Sequence, residues 1–371
     1  MRARRVVLAL LALTLVAGTA LAAGPRAGLL LAIGLGFGLI LEGLRFGFAG
    51  PWRLMITERD ARGLVAQLLA IALAAAALFP LMAANPLELS PAHAPIGTAM
   101  ILGAFVFGAA MQVVMGCGSG TLVNAGSGNL IGLVALAGFV AGAFLGTLHT
   151  GFWVSLGRLP VISAQSLAGD DGSLALTLAG LATVGALALW RAAPGKRRPP
   201  ARLLWAAGGL AGLAALNMIV SGQSWGIVYG LGLWGAKLAQ AAGADLSANA
   251  FWALPANARR LEASLLTDVT SLTDLGLILG AFLVMKGRAA PGAPSMPLAW
   301  RGWVGVVIAG LVLGYSSRIA LGCNVGAFFS GISTGSLHGW AWFAAAFAGS
   351  ALGLRLRPFV LIAPRRAEAP A

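Results

Sequence analysis

The chain of 371 residues has two cysteines, and both stand in closely similar frames. One reads Gly116-Cys117-Gly118-Ser119-Gly120-Thr121-Leu122, the other Gly322-Cys323-Asn324-Val325-Gly326-Ala327-Phe328. A thiol among glycines has three kinds of chemistry open to it. It can donate a weak S–H hydrogen bond to a sulfur-bearing anion. It can act as a thiolate nucleophile, or bind a soft metal such as Cu(I). The plain alternative is a small buried hydrophobe. Two thiols in matching frames favour chemistry over packing. A metal site is disfavoured, because no second cysteine or histidine stands close in sequence to either thiol. His149 and His338 do not share a repeat position and read as packing or interfacial residues. Two cysteines can also form one bridge between the copies, but the flanking glycines point to exposed thiols rather than a buried disulfide. No metal or cofactor is expected.

The elements that must hold these thiols are apolar. Hydrophobic residues make up 59% of the chain and charged residues 10%, far below the roughly 25% of a soluble domain. Such a chain cannot cover a water-facing surface, so the expected fold is all-α, a polytopic helical membrane protein of about ten spans. The 53 glycines suit close helix packing in lipid. The formal net charge is +14. Arginines that hold loops in the cytoplasm account for most of that bias; attraction of anions is the functional reading. Nucleic-acid binding is excluded, because the basic residues sit in short loops between apolar runs.

Apolar segments are expected near 28–47, 63–83, 96–115, 129–149, 173–190, 203–220, 268–286, 302–320 and 336–354. The stretch 225–242, with Gly230, Gly232, Gly235 and Lys237, is expected to be broken or re-entrant. Residues 1–26 read either as a signal-like segment or as a first membrane helix, the second being preferred. A first half then covers 27–190, a basic linker 191–202, a second half 203–363 and a tail 364–371. Arginine-rich loops at 45–62, 191–202 and 286–301, with the C-terminus, are placed inside; 84–95, without Lys or Arg, is placed outside. The helix before Cys117 then runs inward and the helix before Cys323 outward, which is an inverted-topology repeat.

The repeat is visible in the residues. At an offset of 206, Gly108 meets Gly314, Gly116 meets Gly322 and Gly120 meets Gly326. At 207, Gly128 meets Gly335, Gly132 meets Gly339, Gly142 meets Gly349 and Gly146 meets Gly353. Open backbone inside a membrane is tolerated where it lines a cavity or is buried in protein, so each cysteine motif is expected at a broken or re-entrant helix. The half-helix that follows would present free N–H groups, which suit an anion. The candidate path is therefore Gly116, Cys117, Gly118, Ser119, Gly120, Gly322, Cys323, Asn324 and Gly326. Arg318, whose counterpart is Gln112, either faces the cavity or snorkels to the interface, and Lys237 has the same two options. Glu42 and Arg45 are expected to pair on one helix face. Asp268 and Asp274 are read mainly as helix N-terminal caps, with proton coupling the minor option for Asp274.

The segment from Gly322-Cys323-Asn324-Val325-Gly326 to Gly335-Ser336-Leu337-His338-Gly339-Trp340 closely resembles the C-terminal signature of the YeeE/YedE family of sulfur-transport membrane proteins. Met115-Gly116-Cys117-Gly118-Ser119-Gly120 resembles its first-half signature, and Leu233-Trp234-Gly235-Ala236-Lys237 and Asp268-Val269-Thr270-Ser271 resemble further family segments. The resemblance implies a bacterial inner-membrane transporter, with a cytoplasmic C-terminus, for a small sulfur anion. Thiosulfate is the substrate in the best-understood branch, and selenium-linked transport or membrane thiol redox chemistry are the alternatives. It implies an hourglass path in which Cys117 and Cys323 successively contact the passing sulfur, with a soluble sulfur-carrier protein as a candidate partner. In one place the chain departs from the pattern. Many relatives carry a further cysteine after Arg-Phe, whereas here Arg45-Phe46 is followed by Gly47.

Overall fold

A computed structural model describes residues 2–288 and 298–361; the expected tail 364–371 lies outside them. The helices are α1 (Arg2–Ala23), α2 (Pro25–Gly43), α3 (Ala49–Glu58), α4 (Arg62–Ala84), α5 (Thr98–Val113), α6 (Gly118–Gly126), α7 (Leu130–Leu148) and α8 (Thr150–Ser155). They continue with α9 (Ala164–Arg191), α10 (Ala201–Ser221), α11 (Val228–Ala241), α12 (Pro255–Glu262), α13 (Val269–Gly287), α14 (Trp300–Ile319) and α15 (His338–Val360). A π-helical segment covers Asn324–Gly331, and one antiparallel pair joins β1 (Pro95–Gly97) to β2 (Arg158–Val161). Nine stretches among the described residues are long and apolar enough to cross a bilayer. The protein is an all-α polytopic membrane protein.

Local chemistry sets the helix ends. Asn129 Oδ1 accepts from the N–H groups of Ile131 and Gly132 at the start of α7. Ser163 and Ser166 form a reciprocal cap on α9, and Asp268 accepts from Ser271 N–H at 2.8 Å on α13. Each satisfies donors that a helix start leaves unpaired.

The long helices meet in parallel pairs through glycine seams. On α7, Gly138, Gly142 and Gly146 lie against the Val307–Arg318 side of α14, while Gly310 and Gly314 return the contact onto Ala135 and Phe139. Gly349 and Gly353 of α15 sit on Phe105 and Ala109 of α5, and Gly34, Gly38, Gly276 and Gly280 join α2 to α13. Spacings of four residues place these glycines on one helix face, where the missing Cβ lets backbones touch. These contacts carry the repeat. Gly108 packs on Ala346 and Gly314 on Phe139; Gly142 packs on Leu311 and Gly349 on Phe105. Each contact maps onto its partner when the offsets of 206 and 207 are applied. Corresponding helices run oppositely: the end of α14, at Ser316–Ala320, lies against Gly103 near the start of α5. The repeat is therefore inverted.

The loops collect on two faces. On one, Ala61 N–H bonds to Lys196 O, Ala193 N–H to Arg59 O, Arg202 to Leu44 O, and Arg288 to Glu42. Here the Arg62 guanidinium beside Asp60 holds that carboxyl below its ordinary value. On the opposite face, Ser90 N–H bonds to Gly222 O, Leu337 N–H to Ile162 O, and Arg26 to the carbonyls of Val220 and Ser221.

One local expectation is narrowed and one corrected. The stretch 225–242 contains one unbroken helix, α11, of 14 residues, too short to cross, which fits the re-entrant alternative and not the broken one. Glu42 pairs with Arg288 rather than Arg45. Arg45 lies beyond the end of α2 with φ 52°, so the chain has already left the helix face that would align the two.

Candidate functional site: two thiols at a central constriction

Each cysteine follows a sharp reversal. Met115 has φ 57° and Leu321 φ 60°, both left-handed, and each stands two residues before its cysteine. Left-handed backbone costs a non-glycine residue roughly 1–2 kcal/mol, so the surrounding structure must impose it twice. Gly322, at φ 148°, occupies a region that side chains rarely adopt, and a Cβ there would lie 2.8 Å from Ala327 N. The reversals turn the chain back into the bundle, and each cysteine becomes the residue before a short helix. Cys117 caps α6: its Sγ accepts from Gly120 N–H at 3.3 Å and lies 3.4 Å from Ser119 Oγ. Cys323 precedes the π-helical segment, and Ala327 N–H bonds to its carbonyl at 2.8 Å.

The two motifs meet. A Cβ on Gly118 would lie 2.7 Å from Cys323 Sγ, so the glycine after the first thiol makes room for the second. Ile227, just before α11, closes on the same glycine. Both cysteines are buried free thiols. Two helix starts thus face one constriction from opposite halves, each led by a sulfur. Ser119, with Asn324 beside Cys323, is buried at this level, and both side-chain polar atoms of Asn324 have no partner. Gly116 lies against Thr121 and Asn124, Gly120 against Cys117 Sγ, and Gly326 has open space where a side chain would be.

From the arginine-rich face a cavity of about 1110 Å³ leads to Cys117. Arg4, Arg45, Lys286 and Arg288 line it, together with Gly47, Ser119 and Asn124. Towards the opposite face the two motifs are covered. Ser330 Oγ donates to Trp225 O at 2.7 Å, and the Trp225 ring stacks on Phe37 at 3.8 Å. The 92–93 loop is pinned on Thr334, whose Oγ1 accepts from Ala92 N–H and whose carbonyl accepts from His93 Nε2.

The remaining candidates lie elsewhere. Lys237 Nζ donates to the carbonyls of Leu261 at 2.6 Å and Ala263 at 2.7 Å, which ties α11 to the end of α12 and leaves it away from the thiols. Arg318 ends α14 on the face opposite the arginine-rich loops, its guanidinium 4.1 Å above Phe251. Its repeat counterpart Gln112 donates to Ala49 O. Asp274 does not cap a helix. It is fully buried inside α13 against Gly230, and neither carboxylate oxygen has a partner. Asp268 alone holds the capping position, because α13 begins at Val269. His338 is buried with Nδ1 2.7 Å from Ser336 Oγ, and His149 Nδ1 lies 3.1 Å from Tyr315 Oη.

Sequence reasoning passed over Ile227 and Trp225, which complete the constriction, since only the fold brings them there. Arg45, Lys286 and Arg288 were legible as loop charge but not as the lining of one cavity.

Residues 44–352 match the family model described as sulphur transport. The chain is 26% identical over 328 residues to the thiosulfate transporter TsuA of Spirochaeta thermophila, covering 84% of this chain and 92% of that protein. It is 31% identical over 140 residues to the probable transporters YedE of Escherichia coli and Salmonella typhimurium. That stretch is 37% of this chain and spans one third of the length of those relatives (33%). With the family model covering both cysteine motifs and most of the bundle, the chain belongs to the sulphur transport family of membrane proteins.

Proposed function

We propose that the protein imports thiosulfate, handing the anion from Cys323 to Cys117 and then into the arginine-lined cavity. The observation that carries this is the meeting of the two motifs: Cys323 Sγ rests on Gly118, and the cavity from the arginine-rich face leads to Cys117. The terminal sulfur of thiosulfate is a soft, charged acceptor. An S–H donor offers it a weak hydrogen bond and no tight trap, which suits a station that must also release. The starts of α6 and the π-helical segment add N–H groups with partial positive charge from both halves, offsetting part of the cost of bringing an anion to this depth. Asn324, buried and unpartnered, supplies further polar groups beside Cys323. Opening then requires Ile227 and Cys323 to part from Gly118, and the Trp225–Phe37 stack to open. Arginine-rich loops stay in the cytoplasm, so the cavity is the exit and the C-terminus is cytoplasmic.

The test is uptake of ³⁵S-thiosulfate into proteoliposomes. Cys117→Ala and Cys323→Ala should each lower the initial rate by at least tenfold, the scale of losing one interaction of about 1.4 kcal/mol at the barrier. Both variants should still fold, with the melting temperature lowered by a few degrees, because each removes one buried sulfur and that of Cys117 also caps α6. Wild-type rates in both would remove the thiols from the path.

A further inference from the structure

Arg318 is a cation without a counter-ion. Among the described residues no carboxylate pairs with it and none of its five N–H donors meets an acceptor. Its neighbours are aromatic faces: Phe251 at 4.1 Å and Tyr229 at 5.7 Å. Arg260, 4.7 Å over the same Tyr229 ring, has Asp268 and Gln223 within reach, so that arginine is compensated and Arg318 is not. The stem of Arg318 is held by α7, since Gly146 leaves space only for its Cβ and Cγ.

Arg318 also lines a cavity of about 70 Å³ on this face. Arg158 and Thr150 also line it, and no carboxylate does. One water occupies roughly 10–15 Å³ by this kind of measure, so the space suits a handful of waters or one small tetrahedral oxyanion. Leu321, the left-handed residue of the reversal before Cys323, is part of the lining. The cavity therefore sits directly behind the turn that presents Cys323.

We infer that Arg318, with Arg158, forms an oxyanion-binding station on the face opposite the arginine-rich loops, which loads the anion before it reaches Cys323. The inference deepens the sulfur-anion reading and rests on it for the direction of travel. A guanidinium grips two oxygens of a sulfonate-like group at once. Thiosulfate held by its oxygens keeps its terminal sulfur free for the thiol beyond. The station recognises oxygens, so it also takes sulfate; discrimination for sulfur falls to Cys323.

Equilibrium binding of ³⁵S-thiosulfate to the purified full chain in detergent at low ionic strength tests this, alongside uptake in proteoliposomes. Arg318→Gln should weaken binding about tenfold or more, the loss of one charge-assisted pair. Arg318→Lys keeps charge and stem, and should weaken binding several-fold at an unchanged melting temperature. Unlabelled sulfate should compete with labelled thiosulfate in the wild type. Wild-type affinity in both Arg318 variants, or no binding of either anion by the wild type, overturns the station. Normal wild-type uptake with Arg318-independent binding would sink the station and leave the transport reading standing. Arg318-dependent binding without any uptake would do the reverse.

Discussion

Gly118 is the position where one half of the molecule leaves room for the other half's chemistry. Its missing side chain is the space taken by Cys323 Sγ. An alanine there would place a methyl carbon 2.7 Å from that sulfur, and Ile227 blocks retreat on another side. Overpacking a well-filled core costs about 1–3 kcal/mol. Gly118→Ala should therefore lower the melting temperature by a few degrees, and it should reduce thiosulfate uptake more than its effect on stability explains. Near-normal uptake from a destabilised protein would show that the constriction is packing alone. The thiols themselves were legible in the sequence, because two cysteines in matching glycine frames have few innocent explanations. Their contact across Gly118 was not, since no pattern within either motif says which atom of the other half will fill the space. Asp274 shows the same limit. Its place after Thr273 reads as a cap, but α13 starts earlier, at Val269, and carries the carboxyl into the core.

At the scale of elements, the left-handed reversal recurs. Met115 and Leu321 each stand two residues before a thiol; Arg45, at φ 52°, stands two residues before Gly47. A short helix follows each, α6, the π-helical segment and α3. Gly47 lines the cavity that leads to Cys117, and nothing lies within 4 Å of where its Cβ would be. A third short helix therefore follows a left-handed turn, with Gly47 one residue before its N-cap Phe48 and no thiol there. Gly47→Cys should be accepted without loss of melting temperature and should react with a water-soluble thiol reagent that reaches the cavity. A buried, unreactive thiol in that variant would contradict the geometry. Most of the long apolar helices were read to within a few residues, because their length and composition are imposed by lipid; α9 starts nine residues earlier than read and α15 ends six later, where their ends carry polar or charged residues. For α11 the expectation that it is no plain span holds, but its glycines do not break the helix; they serve contacts with Asp274, Ala143 and Phe144.

For the whole molecule, the inverted repeat explains how one sequence brings two like motifs to one place from opposite halves. Contacts of α5 with α15 are repeated, with partners exchanged, in those of α7 with α14. Two half-helices consequently approach the centre from opposite halves and present their starts to each other. The register of glycines made this legible before any coordinates. The sealed and open ends were not, because they depend on loops such as 92–93 and on Trp225, which carry no repeat signal. If both thiols lie on one anion route, thiosulfate protects both from alkylation. Single-thiol proteins, Cys117→Ala and Cys323→Ala, are reconstituted and treated with a small membrane-permeant alkylating reagent at increasing thiosulfate. Thiosulfate should slow modification of each remaining thiol at similar concentrations, and an impermeant reagent should reach Cys117 from the arginine-rich face. Modification rates indifferent to thiosulfate, or Cys117 reached solely from the opposite face, would contradict a shared route.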